Sequence, residues 1–285
     1  MGKDQSRQPD LQFVNVGLQK LRTAIWHGDG HGRPLLFFNG IGANLEIAQP
    51  LGESLTDRDI ITFDLPGIGG SPNPTVPYRP WWVAHAAKTI LRHFGYDETV
   101  DVMGVSWGGG AAQQFAFQYK KTTNRLVLVA TAPGVTMVPG DVAALSKMAH
   151  PMRYTSQEFL VQHFEALYGD ERLGAHQFAE HMKPPQLQGY LYQLSAMAGW
   201  SSLPFLPFLP HETLLLAGGN DKIVPLANAR MLKFFIRKSE LEIFDDGGHL
   251  FLLSHSKQVL PILRGFLDRE AEEEEYPAFA AQPAE

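Results

Sequence analysis

A serine framed by glycines, a histidine late in the chain and an aspartate between them could together break an acyl bond. Ser106 sits in Gly104-Val105-Ser106-Trp107-Gly108, which fits G-x-S-x-G. Alone the string is weak, because two glycines around a serine recur by chance in ordinary strand–helix turns. Its setting, after an apolar run and before a helical one, gives it weight. The flanking glycines have a physical purpose there: the turn leaves no room for side chains beside the serine, and strained backbone lifts Oγ into the open. A serine hydroxyl is a poor nucleophile and needs a base. Of the eleven histidines, His249 fits best, in Asp245-Asp246-Gly247-Gly248-His249 just past an apolar run near the C-terminus. His255 reads as a surface residue at the start of the last helix. The histidines between 135 and 210 read as packing or solvent-facing.

The acid should lie between serine and histidine. The loop after Leu126–Ala130 holds no Asp or Glu, whereas Gly218-Gly219-Asn220-Asp221-Lys222 offers Asp221. Asp245 and Asp246 are too near His249 in one turn to be preferred. An aspartate in this place would hold the imidazole tautomer and stabilise the imidazolium. A developing oxyanion needs backbone donors. The N–H of Trp107 is one, and the N–H of Ile41, in Asn39-Gly40-Ile41-Gly42-Ala43-Asn44, is expected to be the second.

Other chemistries fit less well. There is no cysteine, hence no thiolate nucleophile, no disulfide and no Cys-bound zinc. His176 and His181 are five apart, off one helical face, and H-E-x-x-H is absent. His27 and His31 flank glycines and could bind a metal only by accident. No phosphate loop is present, and Gly67-Ile68-Gly69-Gly70 lacks dinucleotide-site spacing. No metal or organic cofactor is expected. A net charge of −6 without a basic stripe argues against nucleic acid. The N-terminus lacks the apolar region of a secretory signal. Its Gly2 and Ser6 match only the short, loose myristoylation pattern. No apolar run of ~18 residues is present, so no transmembrane helix is expected, and the reading is a soluble cytoplasmic protein.

The elements that must hold these groups follow from periodicity. Strand-like runs are Leu11–Val16, Leu21–His27, Leu35–Phe38, Ile60–Phe63, Val100–Val105, Leu126–Ala130, Thr213–Ala217 and Leu241–Phe244. Helical patterns fall at about Trp81–Phe94, Gly109–Tyr119 and Ser254–Arg269. Continuous apolar runs alternating with helices indicate a mostly parallel sheet covered on both faces. Between Val135 and Pro210 only helical patterns occur: Asp141–Ala149, Ser156–Tyr168 and Gln186–Ala198. The expectation is therefore the α/β-hydrolase fold, whose chain order is serine, acid, histidine. Residues 1–134 and 211–270 form the core, 135–210 a helical lid inserted in it, and 271–285 a solvated, acidic, disordered tail. The insert holds five of the eight methionines and many aromatics. Much of that is packing, yet a roof rich in Met and aromatics suits an apolar acyl chain. Asn39, Asn44, Met137 and Trp200 are the expected substrate-binding residues.

Several strings together resemble one family, the intracellular medium-chain-length polyhydroxyalkanoate depolymerases. They are Phe38–Glu46 (FNGIGANLE), Gly104–Gly109 (GVSWGG), Leu126–Gly140, Gly189–Ser201 and Asp245–Leu252 (DDGGHLFL). The likeness runs from about residue 35 to 268, and Trp107 after the serine is its distinctive mark. It implies the same triad of Ser106, Asp221 and His249, and a substrate that spacing could not show: water-insoluble polyesters of 3-hydroxy acids, stored as granules with which the enzyme associates. Two departures stand out. Gly247-Gly248 is one glycine longer than the family form, and Asn220 and Lys222 replace its usual Asp and Pro. A carboxylesterase for small soluble esters is the nearer alternative, and a non-catalytic binding protein the farther one. Oligomeric state has no sequence signal.

Overall fold

The computed structural model describes residues 7–148, 158, 162 and 183–270. The tail 271–285, the Gly2–Ser6 pattern, His176, His181 and, apart from Glu158 and Gln162, the helix expected over 156–168 lie outside them. Eight strands form one sheet: β1 (Asp10–Val16), β2 (Gln19–Trp26), β3 (Leu35–Phe38), β4 (Ile60–Phe63), β5 (Val100–Val105), β6 (Thr123–Val129), β7 (Thr213–Gly218) and β8 (Ser239–Phe244). Their spatial order is β1-β2-β4-β3-β5-β6-β7-β8. The β1–β2 hairpin and its junction with β4 are antiparallel; every other pairing is parallel.

Eight α-helices lie among the described residues: α1 (Gln49–Ser54), α2 (Pro80–His93), α3 (Trp107–Gln118), α4 (Val142–Met148), α5 (Leu187–Ala196), α6 (Leu226–Phe235), α7 (Phe251–Ser254) and α8 (Ser256–Leu267). The helix expected over Ser254–Arg269 is thus two, with His255 at the break. His255 is not a free surface residue: Nε2 lies 3.0 Å from Asp246 Oδ1 and the ring packs on Phe244.

The alternation of strand side chains builds two cores. Leu36, Phe38, Leu126 and Leu128 face α2, α3 and α6 on one side of the sheet. Leu35, Phe37, Val127 and Val129 face α1 and α8 on the other. Because parallel strands are covered on both faces, their sequences read as unbroken apolar runs. Helix α2 starts with Pro80 at its first turn and carries Arg92 and His93 in its last, as the helix dipole favours. Helix α8 buries Val259, Leu263, Phe266 and Leu267, one stripe at helical spacing.

The segment expected as a lid leaves and rejoins the sheet at one point. Gly134 bridges to Ser201, Val135 N–H donates to the Trp200 carbonyl (2.9 Å), and Ser202 N–H donates to the Pro133 carbonyl (3.1 Å). Leu206 and Leu209, just before β7, are buried in the first core. No helix among the described residues is long and apolar enough to cross a membrane.

Phe115 on α3 is fully buried between Phe38 and Tyr119 and secures the helix that follows Ser106. Phe115→Ala should lower unfolding free energy by about 3–5 kcal/mol in urea denaturation.

Candidate active site

The three expected triad residues come from three strand ends on one edge of the sheet: Ser106 after β5, Asp221 after β7 and His249 after β8. Carboxyl ends of parallel strands are where open α/β sheets place their sites. His249 Nδ1 is 2.7 Å from Asp221 Oδ2, and Nε2 is 3.0 Å from Ser106 Oγ. Asp221 and His249 are both buried. Asp221 Oδ1 accepts the N–H groups of Ile223 (2.9 Å) and Val224 (2.8 Å), leaving Oδ2 for the imidazole.

Ser106 has φ 55° and ψ −120°, backbone that only glycine adopts without strain. Its neighbours explain how the turn is held. Ser106 N–H donates to the Val129 carbonyl (2.8 Å), and the Ser106 carbonyl accepts Gly109 N–H (2.9 Å) and Thr131 Oγ1–H (2.6 Å). A Cβ on Gly104 would lie 2.3 Å from the Gly108 carbonyl oxygen, and one on Gly108 would lie 2.2 Å from that of Phe38. No side chain fits at either place, so the G-x-S-x-G spacing is steric.

The loops that carry Asp221 and His249 approach in the same way. A Cβ on Gly218 would lie 2.4 Å from the Gly247 carbonyl oxygen, and Asn220 N–H donates to that carbonyl at 2.9 Å. The glycine pair before His249 therefore packs backbone against backbone on the Asp221 loop. Lys222 is exposed, and its carbonyl accepts Asp141 N–H (2.7 Å).

Trp107 opens α3, where a backbone N–H has no intrahelical acceptor and the dipole favours negative charge. Gly40 abuts the serine: a Cβ there would be 3.8 Å from Ser106 Cβ. Ile41 borders the same space as Ser106 and Trp107. Met137 and Trp200 line, with Leu194 and Met197, a cavity of about 420 Å³ that reaches Ser106 from the insert side. Asn39 borders the serine and donates to the Asn44 carbonyl (3.0 Å). Asn44 is fully buried and is not among the described residues that line these two spaces. Its Nδ2 donates to Glu46 Oε2 (2.6 Å), and its Oδ1 accepts Lys183 N–H (2.8 Å).

Residues that sequence reasoning missed brace this loop. Buried Gln193 of α5 accepts Gly42 N–H on its side-chain oxygen (2.8 Å), and its carbonyl accepts the Trp107 indole N–H (3.0 Å). One residue of the insert thus touches both walls of the expected oxyanion hole. Asp64, after β4, accepts Leu45 N–H (2.7 Å) and Gly70 N–H (2.8 Å). Burial pushes its carboxyl up to about 6, against the pull of those N–H groups and Arg22. Burial pushes Glu46 up too, but hydrogen bonds from Lys183, Asn44 and Arg22 outweigh it and hold that carboxyl at about 2. No motif marks these residues, since their partners are distant in sequence. Among the described residues no group of three or more His, Asp or Glu could hold a metal.

An eight-stranded, mostly parallel sheet with a serine elbow at its centre defines an α/β hydrolase. The chain belongs to the α/β-hydrolase fold family, whose model matches residues 33–256. It is 42% identical to poly(3-hydroxyalkanoate) depolymerase of Ectopseudomonas oleovorans, over 91% of this chain and 93% of that one. The resemblance drawn from short strings therefore holds along most of the chain. It is 28% identical to 2-hydroxymuconate semialdehyde hydrolase of Pseudomonas sp. (strain CF600), over 87% of this chain and 90% of that one. The esterase of Exiguobacterium antarcticum shares the fold, with a TM-score of 0.77 at 20% identity over 92% of this chain and 99% of that one.

Two expectations follow from the loop braces. Gln193→Met removes the acceptor for Gly42, and kcat for a p-nitrophenyl ester should fall about tenfold or more with KM little changed, short of the 10²–10³ cost of deleting an oxyanion donor. The folded Asp64 carboxyl titrates near 6 against 3.8 for its ordinary value. The stability it contributes is complete below about 3.8 and is lost as pH rises through 6. Relative to Asp64→Asn, the wild type should lose up to about 3 kcal/mol between pH 4 and pH 7.5, read from urea unfolding at each pH.

Proposed function

We propose that the chain hydrolyses the ester bonds of poly(3-hydroxyalkanoate) with medium-length side chains, using Ser106 as nucleophile, His249 as base and Asp221 as its orienting acid. The observation that carries the reading is the unbroken row from Ser106 Oγ through His249 to Asp221, at 3.0 and 2.7 Å, on a serine held in strained backbone. With Nδ1–H donated to Asp221, Nε2 is left unprotonated to accept the serine proton. Ser106 Oγ attacks the ester carbonyl as His249 takes that proton. The oxyanion rests on the N–H groups of Trp107 and Ile41. The 3-hydroxyl of the next unit leaves with the proton from His249. Water, activated by the same base, then frees the acid. No cofactor enters any step.

The polyester assignment is supported by the relative at 42% identity, whose name states that substrate. It is also supported by the cavity of Met137, Leu194, Met197 and Trp200, which suits an aliphatic side chain. In this reading residues 135–210 roof the acyl site, the remainder to 270 is the catalytic core, and the enzyme works at the surface of cytoplasmic granules.

Acid release from amorphous medium-chain granules, beside short-chain granules and a p-nitrophenyl ester, tests it. The wild type should release acid from the medium-chain polymer and Ser106→Ala should not. Asp221→Asn should lose about 10⁴ in kcat with the fold intact. Ester turnover without polymer release would leave an esterase of small substrates.

A further inference from the structure

The insert-side cavity is not the only apolar space that reaches Ser106. A second one, of about 200 Å³, runs between the segment Leu45–Ser54 and helices α7 and α8. Its walls include Ile47, Ala48, Leu51, Leu250, Leu253 and Leu260. Ser106 and Ile41 border both spaces. Among the described lining residues, His249 borders only this cleft, and Trp107 only the insert-side cavity. The two spaces therefore meet at the serine: His249 borders one, Trp107 the other, and Ile41 both.

We infer that this cleft binds the alcohol half of the ester and takes an aliphatic chain. The inference rests on the reading above, in which Ser106 attacks an ester. As the Ser106 Oγ–carbon bond forms and the carbon–oxygen ester bond breaks, the departing oxygen must take the proton that His249 Nε2 received from Ser106. That oxygen must come within hydrogen-bond reach of Nε2. The chain it carries then continues into the space that His249 borders, while the acyl chain keeps the insert side. No Asp, Glu, Lys or Arg is among the described lining residues, so the cleft has no ionic group for a charged or sugar-like alcohol and instead offers burial to methylene groups.

Part of the cleft's lining is open to solvent. Pro50 there is exposed, and Ser54 and Ser256 are half-buried, so the cleft reaches the molecular surface. A leaving chain longer than the cleft can pass out beyond them. A polyester strand laid across Ser106, one unit under the insert and the next in the cleft, is then open to cutting at internal bonds.

Leu253, half-buried on α7, tests the assignment in both directions. One substrate series keeps butyrate and lengthens the alcohol from methyl to octyl. The other keeps the methyl ester and lengthens the acid from butyrate to octanoate. For Leu253→Trp, the octyl-to-methyl ratio of kcat/KM in the alcohol series should fall about tenfold or more, the scale on which a filled apolar pocket discriminates methylenes. Leu253→Ala should move the same ratio upward, which a misfolded protein cannot do. The acid-series ratio should hold within about twofold in both variants. A shift in the acid series instead, or no shift in either, overturns the assignment while wild-type Ser106 still labels with a fluorophosphonate. Failure of the wild type to label or to turn over methyl butyrate overturns the nucleophile reading, and this one with it.

Discussion

Everything at this site depends on one strained peptide unit. Ser106 is held in a backbone region that costs a non-glycine residue of order 1–3 kcal/mol. The surroundings over-determine it: its N–H is tied to β6, its carbonyl to Thr131 and to the first turn of α3, and glycines clear the space around it. Released, the serine would relax along the strand and its hydroxyl would leave His249. The packing of α3 against α2 and the sheet is what keeps the strain in place, so the core around Phe115 also maintains the geometry of the site.

The loops that complete the site are fixed by polar groups from remote parts of the chain. Asp64 and the Arg22–Glu46–Lys183 ion-pair group hold the underside of the loop after β3. Gln193 holds its upper side and the Trp107 indole together. An unpaired oxygen on the fully buried Gln193 amide would be costly, and the Gly42 N–H satisfies it, so loop and insert are coupled through that hydrogen bond. Helix α5 is thus bonded both to the loop after β3 and to the residue that opens α3.

The apolar spaces on either side of the serine have different origins. The insert side is lined largely by residues between 131 and 200, a stretch added to the core order of strands. The described lining of the cleft on the histidine side comes from the end of β3 and the loop after it, α1, the end of β5 and the segment from His249 through α8.

Much was legible in the sequence because the signals were local. Eight apolar runs marked eight strands, and the elbow was written in five residues because a tight turn excludes Cβ atoms wherever it occurs. The placing of Asp221 and His249 followed from chain order and from turns that end strands. Contacts between distant segments left no such mark. That Asn44 is fully buried, that Gln193 reaches Gly42 across 151 positions, and that His255 turns back onto Asp246 were decided by tertiary packing. The two spaces that meet at Ser106 belong to the same class. A strand or turn is specified by neighbours in the chain, whereas a cavity is the gap left when segments pack, and its shape exists only once all of them are in place.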